Sequence, residues 1–372
     1  MPTERKRLAA WINGHPLTTV EEALPADFGA ALVALAIQDG VACLLDRSVR
    51  QLQVSRHSCF SQDDLLTLQA AVHQETLASM LLEKETRRVL AAAQALNIDT
   101  LLLKGNALAW WAYSQPQLRS CGDLDVLVPT REAAERLALA LSEMGYARAV
   151  PSGNLVAHEL MCTLPVTPEW TLEVDVHWRL NNTTLFAHLF EFDELMAASI
   201  ALPQLAQNAR GLGPVDALLH AAVHRARNLA NGVGDALKWL YDVVVLTALL
   251  DDEDWSKLVQ IAQQKQIAGV TLSALEAAEA VFACAFPDAV RRDLQAAAVG
   301  EPLDVTRLED WRYMQAQNFQ SVSGVGPRLR WLWQRLFPSG DYMRTIYGLT
   351  DAGYLTLLVE RARGFWRKWR QR

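Results

Sequence analysis

The stretch RSCGDLDVLVPT, residues 119–130, places Asp123 and Asp125 one residue apart at the head of an apolar run. On a β-strand alternate side chains share a face and each residue rises about 3.3 Å, so both carboxylates project the same way, about 7 Å apart along the backbone. Leu124, Val126 and Val128 form the opposite face, and Leu127 continues the aspartate face. In TLEVDVHW, residues 171–178, the same arithmetic puts Glu173, Asp175 and His177 on one face and Val174 and Val176 on the other. If the two strands are sheet neighbours, three or four carboxylates converge. Like charges at that spacing raise each other's pKa and resist joint ionisation, a cost that a divalent cation removes. Mg2+ takes hard oxygen ligands and shares its shell with substrate phosphates. Two such ions can clamp the attacking and leaving oxygens of a displacement at phosphorus. Phosphoryl chemistry is the reaction class that matches.

The stretch upstream holds what a triphosphate needs. LKGNA puts Gly105 between an expected strand and an expected helix, where backbone N–H groups can hold phosphate oxygens. Lys104 stands beside it, and Arg119 offers a planar fork suited to phosphate. The plainer reading makes both ordinary surface cations. His177 either orients a carboxylate, touches substrate, or is a hydrogen-bonded strand histidine. His220, His224 and Arg227 fall on one face of a helix. No His-Glu-x-x-His pattern or cysteine pair accompanies them, so a substrate-facing role is expected rather than zinc. Lys238 and Asp242, four apart, read as a helix-surface pair.

These residues need a scaffold that changes period along the chain. Residues 1 to about 90 carry helical spacing through EEALPADFGAALVALAIQDGVACLLDRSV and DDLLTLQAAVHQETLASMLLEKETRRVLAAAQAL. TLLLKG and DLDVLV read as short strands, with a helix between them ended by Pro116. A helix from Thr130 to Met144 has a capping threonine and Gly145 past its end. LVAHELMCTL and TLEVDVHW alternate as strands, with PVTPEW turning between them. From Val215 the helical period returns and continues to the C-terminus. The expected fold is α+β: a small mixed sheet covered on one side, flanked by helical regions. The divisions are an N-terminal helical region at 1–95, a core at 96–200, a helical substrate-side domain at 201–300 and a C-terminal helical region at 301–372.

Composition limits what this scaffold serves. The 372 residues carry 35 basic and 42 acidic side chains, a net charge of −7, which gives no global attraction to nucleic acid and argues against a template-directed polymerase. The start of the chain lacks the apolar run and cleavage site of a secretory signal, and no segment matches a membrane span. Five scattered cysteines without a Cys-x-x-Cys pair suit reduced thiols, and a cytoplasmic setting is expected.

Taken together, Gly105, the pair Asp123 and Asp125, and the later Asp175 resemble the nucleotidyltransferase superfamily that includes DNA polymerase beta. More narrowly, LLLKGNALA, LRSCGDLDVLV, GYA, LEVDVHWRL and HAAVHRARNLANGVGDALKWLYDVV resemble a family of largely uncharacterised bacterial nucleotidyltransferases, over about residues 30–290. The resemblance implies a Mg2+- or Mn2+-dependent enzyme. It would bind a nucleoside triphosphate such as ATP, transfer its nucleoside monophosphate to an acceptor hydroxyl and release pyrophosphate. It implies Asp123, Asp125 and Asp175 as metal-holding catalytic residues, and Lys104, Gly105, Asn106 and Arg119 around the triphosphate. Asp175 is preferred to Glu173 because it stands next to the His-Trp of the family pattern. Asn106 departs from the usual small serine or glycine and implies an altered phosphate contact. The acceptor, whether small molecule, sugar, peptide or protein, is left open.

Two rival readings remain: a non-catalytic nucleotide-binding scaffold, and a peripheral membrane adaptor working through the C-terminal helix. PRLRWLWQRLF and RARGFWRKWRQR mix tryptophan with arginine, a pattern that suits an anionic membrane surface or nucleic acid. It also suits tryptophans packed on a neighbouring helix with arginines reaching water.

Overall fold

The computed structural model describes residues 3–14, 27–52, 59–150, 153, 155–167 and 170–371, with side chains to Trp366. Three expectations lie partly outside these residues: the start of the helical stretch at Glu21, part of the PVTPEW turn, and the side chains of the basic end beyond Trp366.

Among the described residues seven strands form one mixed sheet: β1 (Leu101–Leu102), β2 (Asp123–Leu127), β3 (Ala147–Arg148), β4 (Glu159–Pro165), β5 (Thr171–His177), β6 (Ile200–Ala201) and β7 (Arg210–Gly211), in the order β3-β4-β5-β2-β1-β7-β6. β2 runs parallel to β5 and antiparallel to β1, and β4 runs antiparallel to β5. The α+β class and mixed sheet are as expected. The two-residue strands β6 and β7 are too short to show alternation. They carry the sheet beyond residue 200, with Gly211 opposite Leu102.

The helix Arg131–Glu143 shows why the local signals work. Thr130 caps it by accepting from the Ala133 N–H, and Gly145 past its end adopts φ 96°. Its Ala134, Leu137, Ala138 and Leu141 pack with Leu124, Val126, Val128, Val174 and Val176 from the sheet, and with Val89 and Leu90 of the long helix Gln62–Ala95. That helix starts with a capping box between Ser61 and Asp64.

The sheet is not covered on one side only. Leu101, Leu103 and Leu127 point to the other face and join a second apolar cluster. There the N-terminal helices, through Leu8, Leu32 and Leu45, meet Leu219, Leu240 and Leu275 of the region after residue 213. The second face is therefore closed at the β1 side and polar at β2 and β5, where carboxylates stand in place of leucines.

Candidate active site

The parallel pairing of β2 with β5 builds the site. Asp125 is the register partner of Asp175, and Asp123 that of Glu173. Val126 and Val176 alternate away into the core, so the aspartates are left on the polar face. Asp125 is buried and Asp123 and Asp175 are half-buried, whereas Glu173 is exposed. One ligand atom each from Asp125, Asp175 and His177 lies within 4.8 Å of the others. The structure thus brings together two of the three expected metal-holding carboxylates and adds the strand histidine, with Asp123 one pleat away.

His177 closes the cluster. Its Nε2 lies 2.8 Å from Asp125 Oδ1, and its Nδ1 3.3 Å from Glu159 Oε2 on β4. Glu159 is the Cα partner of His177 across β4 and β5, and is held from behind by the Asn182 side-chain amide. This carboxylate was missed in the sequence, although the alternation of HELMCTL places it on the polar face.

Lys104 reaches the same oxygen from the other side, with Nζ 2.5 Å from Asp125 Oδ1. It sits at φ 53° at the start of the helix Lys104–Trp111, a conformation that costs about 1–3 kcal/mol for a residue with a side chain. Lys104 is therefore no surface cation. Burial would drive its pKa down, but the charges of Asp125 and Asp123 prevail and raise it.

The carboxylates are driven apart in proton affinity. Burial pushes Asp125 up, yet Lys104 and the His177 hydrogen bond outweigh it and hold the group well below the usual carboxylate range. The charge of Asp125, then burial, raises Asp123. Burial and the charge of Glu159 raise Asp175 to about 7. His177 is lowered by burial but raised on balance by its Asp125 hydrogen bond and the charge of Glu159. Neither Asp123 nor Asp175 has a hydrogen-bond or salt-bridge partner for its carboxylate among the described residues. Two such groups flanking an ionised aspartate fit a divalent cation, which would balance their charge.

Arg119 and Asn106, expected at the triphosphate, have other partners. Arg119 is 5% exposed, and its Nε and Nη2 each lie 2.7 Å from a carboxylate oxygen of Asp242. Tyr113 also donates to Asp242, at 2.7 Å. Asp242 is thus not the surface partner of Lys238: its buried carboxylate takes Arg119 at both oxygens and Tyr113 at one. A Cβ on Gly105 would stand 2.6 Å from the Arg119 Cζ, so this glycine permits the close approach of a guanidinium that Asp242 fixes. Asn106 is buried and donates to Thr86 Oγ1 at 3.3 Å.

The helix Pro214–Asn231 lines the site from the second layer. His220 and His224 flank a gap of about 30 Å³ that Lys104 and Trp239 also border. Burial lowers the His220 pKa to about 3 and holds that of His224 well below the ordinary histidine value, so both are neutral near pH 7. Arg227, one turn on, lines instead a cavity of about 330 Å³ beside β4. Glu159 and Met161 form its sheet wall, one strand from His177 and Asp175, and Trp331 and Tyr342 close the far side. Arg227 has no ion-pair partner among the described residues.

A family model described as an uncharacterised nucleotidyltransferase matches residues 29–283, which contain every strand and all the residues just placed at the sheet. The chain belongs to this nucleotidyltransferase family. No curated protein matches it. As a nucleotidyltransferase the chain is a transferase acting on a nucleotide substrate. Its shared region reaches from the N-terminal helices to the end of helix Ala268–Phe282.

Proposed function

We propose that this nucleotidyltransferase moves a nucleoside monophosphate from a nucleoside triphosphate, ATP among them, to an acceptor hydroxyl, with release of pyrophosphate. The observation that carries the reading is the in-register pairing of Asp125 with Asp175, with Asp123 beside them on the polar face of the same strands. Asp125 and Asp175 would hold Mg2+ or Mn2+ with Asp123 in support, and the bound ion would supply Lewis-acid polarisation of phosphate oxygens. A hard-oxygen ion suits this donor set, and His177 then serves chiefly to orient Asp125.

Lys104 supplies a positive charge to the triphosphate, and the first N–H groups of its helix supply donors at Gly105 and Asn106. The acceptor lies in the cavity beside β4, where Arg227 offers a polar contact. Its hydroxyl gives a proton to Asp175, which stands one strand from the cavity wall. The hydroxyl oxygen bonds to the α-phosphorus, the bond to the bridging β-phosphate oxygen breaks, and pyrophosphate leaves. Five scattered cysteines without a Cys-x-x-Cys pair accord with a cytoplasmic setting.

Incubation with each α-labelled nucleoside triphosphate, Mg2+ and a cell extract tests the reading. Label should pass to an acceptor with the native chain and fail to pass with Asp123→Asn/Asp125→Asn. Equal labelling by that double variant would remove the proposal.

A further inference from the structure

The last 48 residues reverse the charge of the molecule. Residues 325–372 carry ten basic and three acidic side chains, within a chain whose net charge is −7. They lie beyond the residues matched by the family model. The helix Val325–Leu336 opens this segment, and Leu329, Leu332, Trp333 and Leu336 are exposed on it together with Val325. At 3.6 residues per turn these five positions fall within an arc of about 100°. Trp333 is 63% exposed and Leu329 62%. Trp331 points the other way, is buried, and donates to Thr184 Oγ1 on the cavity wall at 3.1 Å. The helix thus has one face committed to the protein and a continuous apolar face turned outward.

The helix Tyr354–Gln371 repeats the pattern. Leu355, Val359 and Trp366 lie within a narrow arc and are exposed, Leu355 at 79%, while Leu357 is fully buried. Arg361 bonds the Arg335 carbonyl and so ties the two helices together. Arg330 borders the first stripe with no acidic partner among the described residues.

Apolar stripes bearing tryptophan and leucine, bordered by arginine, match the interface of a bilayer, where aromatic rings sit at headgroup level and cations meet anionic lipid. No helix among the described residues is long and apolar enough to cross a membrane, so the contact would be peripheral. We propose that the exposed apolar stripes of these two C-terminal helices dock the protein on an anionic membrane surface. The charge reversal selects this occupant over a second copy of the chain, because two copies would bring the same positive charge together.

The test is co-sedimentation of the full chain with vesicles of phosphatidylglycerol and phosphatidylcholine, against vesicles of phosphatidylcholine alone. Binding should require the anionic lipid and fall as salt rises. Leu329→Ser/Trp333→Ser should weaken it at least about tenfold, given the apolar area withdrawn from the interface. These side chains are exposed, so circular dichroism and the melting temperature should match the native chain. Failure to sediment at low salt, equal binding to neutral vesicles, or unchanged binding by the double variant would each overturn the proposal. So would a dimer in light scattering that the double variant converts to monomer, since a second copy would then be the occupant.

Discussion

Asp125 and Asp175 face each other across β2 and β5 with opposite electrostatic fates, one ionised by Lys104 and His177, the other pushed up by burial and Glu159. That division argues for different roles. Asp175→Asn should lower turnover by several orders of magnitude with little change in triphosphate affinity, because a base acts on the transition state more than on the ground state. Exposed Glu173, aligned with Asp123, should tolerate Gln with only a mild effect on the same steady-state rates. The raised Asp175 also sets a pH dependence. Between about pH 4 and 7 the folded chain holds a proton that an unfolded aspartate, with its ordinary pKa of 3.8, has lost. The contribution of Asp175 to the stability of the metal-free protein therefore falls as pH rises through that window; the raised His177 acts in the same direction, and the lowered His220 and His224 act against it. The melting temperature of Asp175→Asn should rise relative to that of the native chain from pH 5 to 8, since the lowered His220 and His224 titrate in both. At this scale the sequence was legible wherever alternation alone decides the face, as for Asp123, Asp125, Asp175 and His177. Glu159 was legible by the same count and was overlooked. Arg119 was not legible, because its partner Asp242 lies 123 residues away and no local pattern joins them.

The elements around Gly105 form a single device. Helix Lys104–Trp111 can start beside β2 only because Gly105 lacks the Cβ that would strike Arg119, and Arg119 cannot yield because Asp242 holds it at two points. Gly105→Ala should cost about 1–3 kcal/mol in urea unfolding through this overlap. Arg119→Met should cost about 3–5 kcal/mol, since it leaves Asp242 buried without its cation, and Arg119→Met/Asp242→Leu should recover much of that loss. Recovery would mark the pair as structural support for the helix start; continued loss of activity at restored stability would mean that the guanidinium also meets substrate. Capped helices such as Arg131–Glu143 and the longer strands could be located from spacing and turn residues. Strand order could not, because β2 and β5 are 43 residues apart between Leu127 and Thr171 and every pairing of short apolar strands satisfies the same local pattern.

For the whole molecule, the two apolar clusters are joined rather than separate. The helix Gln62–Ala95 buries Leu68 in one and Val89 and Leu90 in the other, and the sheet contributes leucines to both. The change of period foretold helical regions around an α+β core; it carried no sign that the helices before residue 52 and those after 213 share one interior, since contacts so distant in sequence leave no periodicity. The central claim about this molecule is that its polar strip is a triphosphate site completed by a divalent cation, and calorimetry of ATP binding tests it without need of the acceptor. With Mg2+ present the native chain should bind and Asp123→Asn/Asp125→Asn should not, and in EDTA native binding should be lost because the carboxylates repel the triphosphate. Equally tight native binding in EDTA would contradict the account.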